Sequence, residues 1–422
     1  MMLSVAYILS TLIAIAVVVQ LLAAHYYTRW CTRYTNPTVE DVSLPQAVVI
    51  LCLRGRDPFL AECLERLTAQ DYPHYNVRVV IDHPTDPAHD LVKQWIETHP
   101  GTGITVDFLN ECSSDAYLKT SAVRQCIRGL DPSVGVAVLA DADSLVYREW
   151  LRDIIAPMTR TDVGVVTGNR WYDPTQRSWG SVIRYVYNAW TVIPMLLMRA
   201  TWGGSLAIRR DVFDQPFFLD RMLRTACEDD AIQDAACNVD LRIEVQPEVM
   251  LLNREECTLR SCFRFVRRQL LWTRLYHPNW TQIVVGVIAV YLVLVAATIL
   301  TAVAAFKGEM LAAWLVGGAL LAELTVAQVI VEWLHATITR RTADKRDEPF
   351  PQITWTARLR LLFALPLTLL FLVVAVVSAA FSRRAEWRGV TYEVVPPRGI
   401  RMIEYRPYAE VVAVGVAGNS LS

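Results

Sequence analysis

The sequence lacks the cysteine patterns of zinc sites and of disulfide-stabilised secreted domains. Its nine cysteines are scattered singly, without a CxxC pair or a Cys/His group at metal-ligand spacing, and several fall within apolar runs. It also lacks an excess of one charge, since 41 basic residues oppose 42 acidic ones. A nearly neutral chain exerts no long-range attraction on nucleic acid. We therefore expect reduced thiols in a cytosolic environment and no nucleic-acid partner.

Charged residues are scarce and apolar residues are abundant. Of the 422 residues, 20% are charged and 53% are hydrophobic, which is too apolar for a soluble protein of this length. A run of about 20 apolar residues crosses the hydrocarbon core of a bilayer as a helix. Four apolar runs of about that length occur, at Leu3 to Ala24, Ile283 to Phe306, Met310 to Trp333 and Leu361 to Phe381. The sequence therefore predicts an integral membrane protein.

The first run predicts an uncleaved transmembrane anchor over residues 1–27. It has no basic start and is longer than the apolar core of a signal peptide. Aromatic and basic residues follow it, which places that end in the cytoplasm. The soluble domain predicted at residues 45–280 then faces the cytoplasm. The next two runs predict a transmembrane hairpin at residues 281–334, followed by a charged cytosolic loop at residues 335–358.

The last run predicts a helix at residues 359–382 whose relation to the membrane stays open. Arginines stand on both sides of it, at Arg358, Arg360, Arg383, Arg384 and Arg388. Because positive charge marks a cytoplasmic end, a spanning helix conflicts with one flank. An interfacial, tilted or kinked helix, bent at Pro366, removes the conflict. The alternative is a full span with an external tail at residues 383–422.

The soluble domain alternates between strand and helix patterns. Short apolar, β-rich runs predict strands at Gln46 to Leu53, Val77 to Ile81, Thr105 to Leu109 and Val134 to Ala140. Helical periodicity predicts helices between them, at Phe59 to Gln70, Pro87 to Thr98 and Lys119 to Gly129. This alternation predicts an α/β domain with a mostly parallel sheet. Ligands of such sheets bind beyond the carboxyl ends of the strands.

Acidic residues follow two of these strands. Asp82 ends the second strand, and Asp141-Ala142-Asp143 ends the fourth. An Asp-x-Asp pair can offer oxygen ligands to a hard divalent cation, which in turn neutralises a diphosphate. A turn or cap is the ordinary role of a loop Asp, so the motif alone is weak.

A second acidic group, Glu228-Asp229-Asp230, opens a predicted helix. Acids in a first helical turn are favoured by the helix dipole, so capping explains them without chemistry. Mutual repulsion among three acids can also raise the pKa of one carboxylate toward that of a general base. Upstream, Trp202-Gly203-Gly204-Ser205 allows either a close approach of the backbone to a ligand or a tight turn. Both pairs of alternatives stay open.

A basic and aromatic helix is predicted at Phe263 to Tyr276, immediately before the membrane hairpin. It carries Arg264, Arg267, Arg268 and Arg274 among aromatic side chains. Such a helix can contact phosphates or lie on lipid headgroups, and the two roles are compatible.

Taken in order, these motifs resemble the membrane-bound family 2 type glycosyltransferases. The set is Asp82, Asp141-Ala142-Asp143, Trp202-Gly203-Gly204-Ser205, Glu228-Asp229 and Arg268-Gln269-Leu270-Leu271-Trp272. Further segments look like the ceramide glucosyltransferase branch, namely Leu53 to Pro58, Gln70-Asp71-Tyr72-Pro73, Asp86-Pro87-Ala88 and Trp387 to Tyr392. The similarity extends from the first strand to the tail.

The resemblance implies a GT-A type domain that transfers a sugar from a nucleotide-sugar, such as a UDP-sugar, with inversion. By this resemblance Asp82 holds the base or ribose, Lys119 and Gly204 lie near the nucleotide, and Asp141 and Asp143 bind the diphosphate through Mg²⁺ or Mn²⁺. Asp229 is the implied base, with Glu228 beside it. Trp202, Arg268 and Trp272 are implied on the acceptor or phosphate side. The implied acceptor is a lipid hydroxyl.

One position departs from the family pattern. Leu271 stands where the family has a second arginine before the tryptophan, so a phosphate-binding guanidinium is absent there. Neither Arg267 nor Arg274 occupies the matching place. Asp230 is a milder departure, since the family tends to have another residue type there.

Two other functions fit some of the motifs. A processive polysaccharide synthase shares the acidic groups, but it needs more spans to form a polymer channel. A non-catalytic binding module with a degenerate domain fits Leu271, although the acids for metal and base are all present. A non-processive lipid glycosyltransferase uses all of the observed features, and we expect that function.

Overall fold

The computed structural model describes residues 1–346 and 350–413. The strands are β1 (Ala47–Leu53), β2 (Tyr75–Ile81), β3 (Ile104–Phe108), β4 (Val136–Ala140), β5 (Val163–Tyr172), β6 (Ser205–Arg209), β7 (Arg242–Asn253), β8 (Arg384–Trp387), β9 (Val390–Val395) and β10 (Gly399–Tyr405). The helices before the membrane hairpin are α1 (Met2–Arg33), α2 (Leu60–Thr68), α3 (Pro87–Thr98), α4 (Leu118–Arg128), α5 (Trp150–Ile155), α6 (Trp179–Met198), α7 (Arg210–Phe213), α8 (Pro216–Met222), α9 (Glu228–Asn238) and α10 (Leu259–Tyr276). The remaining helices are α11 (Trp280–Phe306), α12 (Met310–Thr342), α13 (Trp355–Phe381) and α14 (Tyr408–Ala413). Asp347 and Glu348 of the predicted charged loop, and residues 414–422 of the predicted tail, lie outside the described residues.

The soluble domain is built on a seven-stranded mixed sheet in the order β3-β2-β1-β4-β6-β5-β7. Four pairs of strands are parallel, and β6 runs antiparallel to both of its neighbours. The predicted α/β class is therefore confirmed. The four predicted strands are present, with ends that differ by one to two residues.

Helices cover the sheet because their apolar residues recur on one side. In α2 the buried residues Leu60, Cys63, Leu64 and Leu67 follow the spacing of an amphipathic helix and join the core beneath β1. Helix α3 begins at the predicted Pro87, and the Asp86 carboxylate caps it by accepting from the Ala88 amide at 2.9 Å. The same carboxylate accepts from the Gly55 amide at 2.8 Å, which ties the loop after β1 to this helix.

Four helices are long and apolar enough to cross a membrane. Three of them, α1, α11 and α12, pack together as a bundle. Small side chains such as Ala6, Ala297, Ala304 and Ala312 are fully buried at one end of this bundle, where they let the helix backbones approach closely. These features support the predicted integral membrane protein.

The other end of the bundle is fixed to the sheet domain by ion pairs. Just after α12, the Lys345 ammonium lies 2.8 Å from Asp153 and 2.9 Å from Glu248, and Arg341 in the last turn of α12 also contacts Glu248. Asp153 and Glu248 belong to α5 and β7 of the soluble domain. The bundle and the domain are therefore held together by partly buried charges as well as by apolar packing.

The tail contains a second, three-stranded antiparallel sheet in the order β10-β9-β8. Its inner side chains Ala385, Val390, Tyr392 and Ile400 pack against Leu271 and other residues of the soluble domain. The sequence analysis left residues 383–422 as a tail without structure. The strands instead form a cover over one edge of the main sheet.

Candidate active site

The predicted site residues meet in one cavity of about 200 Å³ at the carboxyl ends of the strands. Its lining includes Asp82, Lys119, Asp141, Asp143, Trp202, Glu228, Asp229, Arg268 and Trp272. Gly204 does not line the cavity and instead lies beneath Trp202 and Asp141. The sheet topology thus brings motifs that are far apart in the sequence into a single cluster.

Lys119 lies at the centre of the acidic groups. Its ammonium is 2.7 Å from Asp141 Oδ1 and 2.8 Å from Glu228 Oε1. Burial opposes the charge of Lys119, but Asp141 and Glu228 outweigh it and raise the lysine pKa. Burial likewise opposes the charge of Asp141, yet Lys119 and Arg170 hold the pKa of Asp141 below its usual range. Lys119 and Asp141 are therefore both ionised at neutral pH.

Asp143 has a different environment from Asp141. Its Oδ2 atom accepts a hydrogen bond of 2.9 Å from the Asn253 side chain, which orients the carboxylate. Burial and the neighbouring charge of Asp141 raise the pKa of Asp143 to about 6. A buried carboxylate with so little neutralising charge is suited to a cation.

The two aspartates form a partial metal site. Within residues 1–346 and 350–413, no group of three or more His, Cys, Asp or Glu side chains is arranged to hold a metal ion. Magnesium is commonly held by one or two carboxylates together with phosphate oxygens of the substrate. Asp141 and Asp143 therefore fit a cation that arrives with a diphosphate.

Asp229 carries an unpaired buried oxygen. Its Oδ1 atom has no hydrogen-bond partner among the residues that the structure describes, and Oδ2 is 3.8 Å from the Cys227 thiol. Burial first, and then the charge of Glu228, raise the pKa of Asp229 well above its ordinary value. The side chain of the N-cap residue, Cys227, makes no capping hydrogen bond, and Asp230 instead contacts Arg221 at 3.3 Å. When it is ionised, Asp229 can accept a proton at Oδ1.

Gly203 and Gly204 form a tight turn, one of the two alternatives that the sequence left open. They form a turn in which the Ser205 amide donates to the Trp202 carbonyl at 3.1 Å. A Cβ atom added to Gly203 would stand 2.8 Å from Asp229 Oδ1 and 3.0 Å from Glu228 Oε1. The missing side chain thus makes room for the acidic groups.

Asp82 is held at the edge of the cavity by Arg54 and by the tail. Arg54 forms a buried ion pair with the Asp82 Oδ2 atom, and the Tyr405 hydroxyl donates to the same atom at 3.0 Å. The Oδ1 atom is buried and has no hydrogen-bond partner within residues 1–346 and 350–413. Burial raises the pKa of Asp82, although Arg54 and Tyr405 act in the opposite direction. The free Oδ1 is the atom available to a ligand.

The tail closes this edge through further contacts. Arg388 Nη2 lies 2.6 Å from Asp57 Oδ1, and Arg54 donates to the carbonyl oxygens of Arg388 at 2.7 Å and Arg406 at 2.6 Å. Trp387 and Arg388 line the cavity. The motif Trp387 to Tyr392 was noted for its resemblance, but nothing in the sequence alone indicated that these residues reach the site.

Arg170, on β5, is a site residue that the sequence analysis missed. Its guanidinium lies 4.8 Å from the centroid of the Trp202 ring and 5.3 Å from that of Phe265. Other basic side chains of the cavity have carboxylate partners, namely Arg54, Lys119, Arg184 and Arg388. Within the part of the chain that the structure describes, Arg170 and Arg268 have no carboxylate within ion-pair distance. The available signal was an arginine inside the apolar strand β5.

Leu271 faces away from the cavity. Its side chain is 2% exposed and packs with Tyr392 and Val390 of the tail sheet, while Arg268 and Trp272 on the same helix line the cavity. Arg274 also lies outside the cavity, since it donates to the carbonyl oxygens of Ala379, Ala380 and Ser382. At this place on α10 an apolar residue satisfies the packing against the tail.

The chain is similar to one protein family and to several solved structures. A family model described as glycosyl transferase family 21 matches residues 9–400. A mannosyltransferase from Pyrobaculum calidifontis, solved with GDP-Man and Mn²⁺, is 19% identical with a TM-score of 0.46, over 88% of this chain and 99% of that one. Glucosyl-3-phosphoglycerate synthase of M. tuberculosis is 14% identical with a TM-score of 0.37, over 56% of this chain and 85% of that one.

Proposed function

The chain belongs to glycosyl transferase family 21 and is a glycosyltransferase, and from this premise we propose that it transfers a hexose from a UDP-sugar to the hydroxyl of a membrane lipid. The family confirms the resemblance found in the sequence. The observation that carries the proposal is the cavity itself, which is bounded by α10, a helix that packs against apolar α13. Among the described residues, the cavity brings together an Asp229 oxygen without a hydrogen-bond partner, two further aspartates and two arginines without a carboxylate partner.

The donor is proposed to bind along the edge between Asp82 and Arg170. The free Oδ1 of Asp82 accepts a hydrogen bond from the base or ribose, since it is the buried acceptor without a partner at that edge. Lys119 lies between the two halves of the site and adds positive charge near the phosphates. Arg170 and Arg268 offer their guanidinium donors to the diphosphate, because neither is neutralised by a carboxylate.

A divalent cation is proposed as the cofactor. Mg²⁺ or Mn²⁺ held by Asp141 and Asp143 would supply positive charge to the diphosphate leaving group. Asn253 orients the Asp143 carboxylate for this purpose through its hydrogen bond of 2.9 Å. The negative charge that develops on the leaving group is further stabilised by Arg170 and Arg268.

Asp229 is proposed as the general base of an inverting reaction. The acceptor oxygen attacks the anomeric carbon from the side opposite the diphosphate, a new carbon–oxygen bond forms, and the bond to the diphosphate breaks. The hydroxyl proton passes to Asp229 Oδ1, which has no hydrogen-bond partner in the part of the chain that the structure describes. Burial first, and then the negative charge of Glu228, raise the pKa of Asp229 and so make it more basic. No covalent sugar–enzyme intermediate is needed.

The lipid acceptor is inferred from the position of α10. Phe265, Arg268 and Trp272 line the cavity, whereas other residues of the same helix pack against α13. Helix α10 therefore lies between the cavity that contains Asp229 and the apolar helix α13. A lipid headgroup hydroxyl therefore reaches Asp229 from the membrane surface, with the catalytic domain on the cytoplasmic side, as the charges after α1 indicate.

The test is transfer of radiolabelled sugar from a panel of UDP-sugars into lipid extract by membranes that contain the protein, with Mg²⁺ and Mn²⁺ supplied. Membranes with Asp229→Asn are the matched control. We expect metal-dependent label in an organic-soluble product that disappears in the control. Label in insoluble polymer would instead support a processive synthase, and the absence of Asp229-dependent label with every donor would contradict the proposal.

A further inference from the structure

Both ends of α13 contact the soluble domain or the ends of the bundle next to it. Near its start, Arg358 forms an ion pair of 3.1 Å with Glu332 in the last third of α12. At its end, Arg274 of α10 donates to the carbonyl oxygens of Ala379, Ala380 and Ser382 at 2.6 to 3.0 Å. These contacts anchor the two ends on the same side of the molecule.

The middle of α13 also lies next to the soluble domain. Its first half, including Leu361 and Leu365, shares an apolar cluster with Trp171 of β5 and with Ile330 and Leu334 of α12. Its second half, including Ala375 and Val376, shares a cluster with residues of α6, of α10 and of the first turns of α11. The partners in α11 and α12 are therefore the ends of those helices that adjoin the soluble domain.

The opposite end of the bundle has no residue from α13. That end is the apolar cluster that includes Ala6 and Ile13 of α1, Ala304 of α11, and Ala312 and Val316 of α12. A helix of 27 residues is about 40 Å long and would reach this cluster if it ran alongside α11 and α12. It runs across their inner ends instead.

The chain after α13 returns to the active site. Strands β8 to β10 cover the cavity, with Arg388 paired to Asp57 and Tyr405 bonded to Asp82. If α13 crossed the bilayer, these strands would lie on the side opposite the domain that they contact. Because the tail contacts the soluble domain, α13 cannot cross the bilayer.

The outer side of α13 is an uninterrupted apolar stripe. Its exposed large residues recur every three or four positions, at Trp355, Leu359, Phe363, Leu367, Leu370, Val374, Val377 and Phe381. No charged side chain belongs to the stripe, while arginines lie at both ends of the helix. This pattern fits acyl chains along the stripe and lipid headgroups at its ends.

We propose that α13 does not span the membrane but lies in one leaflet, parallel to its plane, with the stripe from Trp355 to Phe381 in contact with acyl chains. The chain then has three spans, and the tail is on the same side as the catalytic domain. The occupant of the stripe is lipid rather than protein, because the stripe continues the apolar surface of α11 and α12, where side chains such as Val285 and Val329 are also exposed. The inference does not depend on the donor, the acceptor or the reaction.

Labelling of single cysteines with a membrane-impermeant maleimide tests the topology. The background carries Cys112→Ser and Cys237→Ser, which removes the two exposed thiols. Three exposed positions are then compared: Arg398→Cys in the tail, Lys93→Cys in the catalytic domain and Lys307→Cys between α11 and α12. Sealed vesicles of both orientations are used, so the result does not require a known orientation or an active enzyme.

In vesicles of each orientation, we expect the cysteines at positions 398 and 93 to be either both labelled or both protected. The cysteine at position 307 should be labelled only in the vesicles in which those two are protected. Labelling of position 398 together with position 307 overturns the inference. Because labelling does not require activity, a failure of the transfer assay described above would count against the proposed function and not against this topology.

Depth measurements test the leaflet contact. Spin labels at Leu359→Cys, Leu367→Cys and Val374→Cys cover about 22 Å of helix, judged by the rise per residue. In vesicles of phosphatidylcholine and phosphatidylglycerol, we expect equal depth and high oxygen accessibility at all three positions. A central label deeper than its two neighbours indicates a span, and low oxygen accessibility indicates a protein partner. Either result overturns the proposal.

Discussion

Arg388 and Asp57 form an ion pair of 2.6 Å in the wall of the cavity, although 331 positions separate them in the chain. Asp57 belongs to the loop after β1, and Arg388 belongs to the tail sheet. Because both side chains are less than 10% exposed, the pair has little competition from water. The contact joins the first and last structured parts of the soluble region at the donor side of the cavity.

Removal of the Arg388 side chain leaves Asp57 buried without its cation. For Arg388→Ala we expect a loss of about 3–5 kcal/mol in the stability of the closed tail, seen as faster proteolysis of residues 384–413, and a raised KM for the donor. Arg401→Ala is the matched control. Arg401 lies in β10 of the tail sheet and forms an exposed ion pair of 3.5 Å with Asp115 of the soluble domain. Equal proteolysis of the two variants would contradict this role of Arg388.

Asp229 and Asp230 are adjacent but have different environments. Asp229→Asn removes the proposed base, and we expect kcat to fall by about 10²–10⁴-fold while donor affinity changes little. Asp230→Asn is the control, because Asp230 pairs with Arg221 outside the cavity lining and should retain activity. Steady-state kinetics together with donor titration by tryptophan fluorescence separate the two effects. Similar losses of kcat in both variants would show that the effect is structural.

The pH dependence of the reaction should follow Asp229. Burial and the charge of Glu228 raise its pKa, and only the ionised form accepts a proton. We therefore expect kcat at saturating donor to rise with pH through this raised pKa, and the residual activity of Asp229→Asn to lack that limb. The sign for stability is the reverse, since ionisation of a carboxylate with a raised folded-state pKa destabilises the fold as pH rises. Asp229→Asn should thus have a higher Tm than the native protein at neutral pH, a difference that fades under acidic conditions.

Arg170 should matter for the donor phosphates rather than for folding alone. Arg170→Lys keeps the charge but loses the planar group that stacks on Trp202, whereas Arg170→Met removes the charge. We expect the affinity for UDP to fall in the order native, Lys variant, Met variant, with a total loss of about 10–100-fold, equivalent to one or two charge-assisted hydrogen bonds. Affinity for uridine, which has no phosphate, is the internal control. An equal loss for uridine and UDP would argue against a phosphate contact.

Restoring the family arginine at position 271 should not increase activity. Leu271 is 2% exposed in an apolar cluster with Tyr392 and Val390, so Leu271→Arg buries a guanidinium without an acidic partner. We expect a lower Tm and a detached tail. Leu271→Met, which keeps the apolar volume, should be nearly neutral. Higher kcat in the arginine variant at unchanged Tm would show that position 271 can face the donor.

The fold was predictable from local patterns to a large extent. Apolar runs and helical periodicity predicted β1 to β4 and their helices, since each element is specified by residues close in sequence. Parallel strands place their carboxyl ends at the same edge, which predicted that Asp82, Asp141 and Asp143 lie close together. Asp229, at the start of a helix, was added to this site only by the family resemblance.

Other features depended on contacts between distant residues. The tail sheet has short strands whose inner residues are buried by α10 and α4, so its local pattern did not indicate a structure. Arg170 looked like an ordinary strand residue until Trp202 and Phe265 were placed beside its guanidinium. The position of α13 could not be chosen from its composition, because a spanning and an interfacial helix of this length have similar apolar content.

The cover formed by β8 to β10 also affects the biogenesis of the protein. These strands follow α13 in the chain, so a ribosome completes them after α1, α11 and α12 have been synthesised. Until then the Asp57 carboxylate lacks Arg388, and Asp82 lacks the Tyr405 hydroxyl. A nascent chain therefore has an open donor cavity, and the enzyme matures only when membrane insertion of the preceding helices lets the tail reach the catalytic domain.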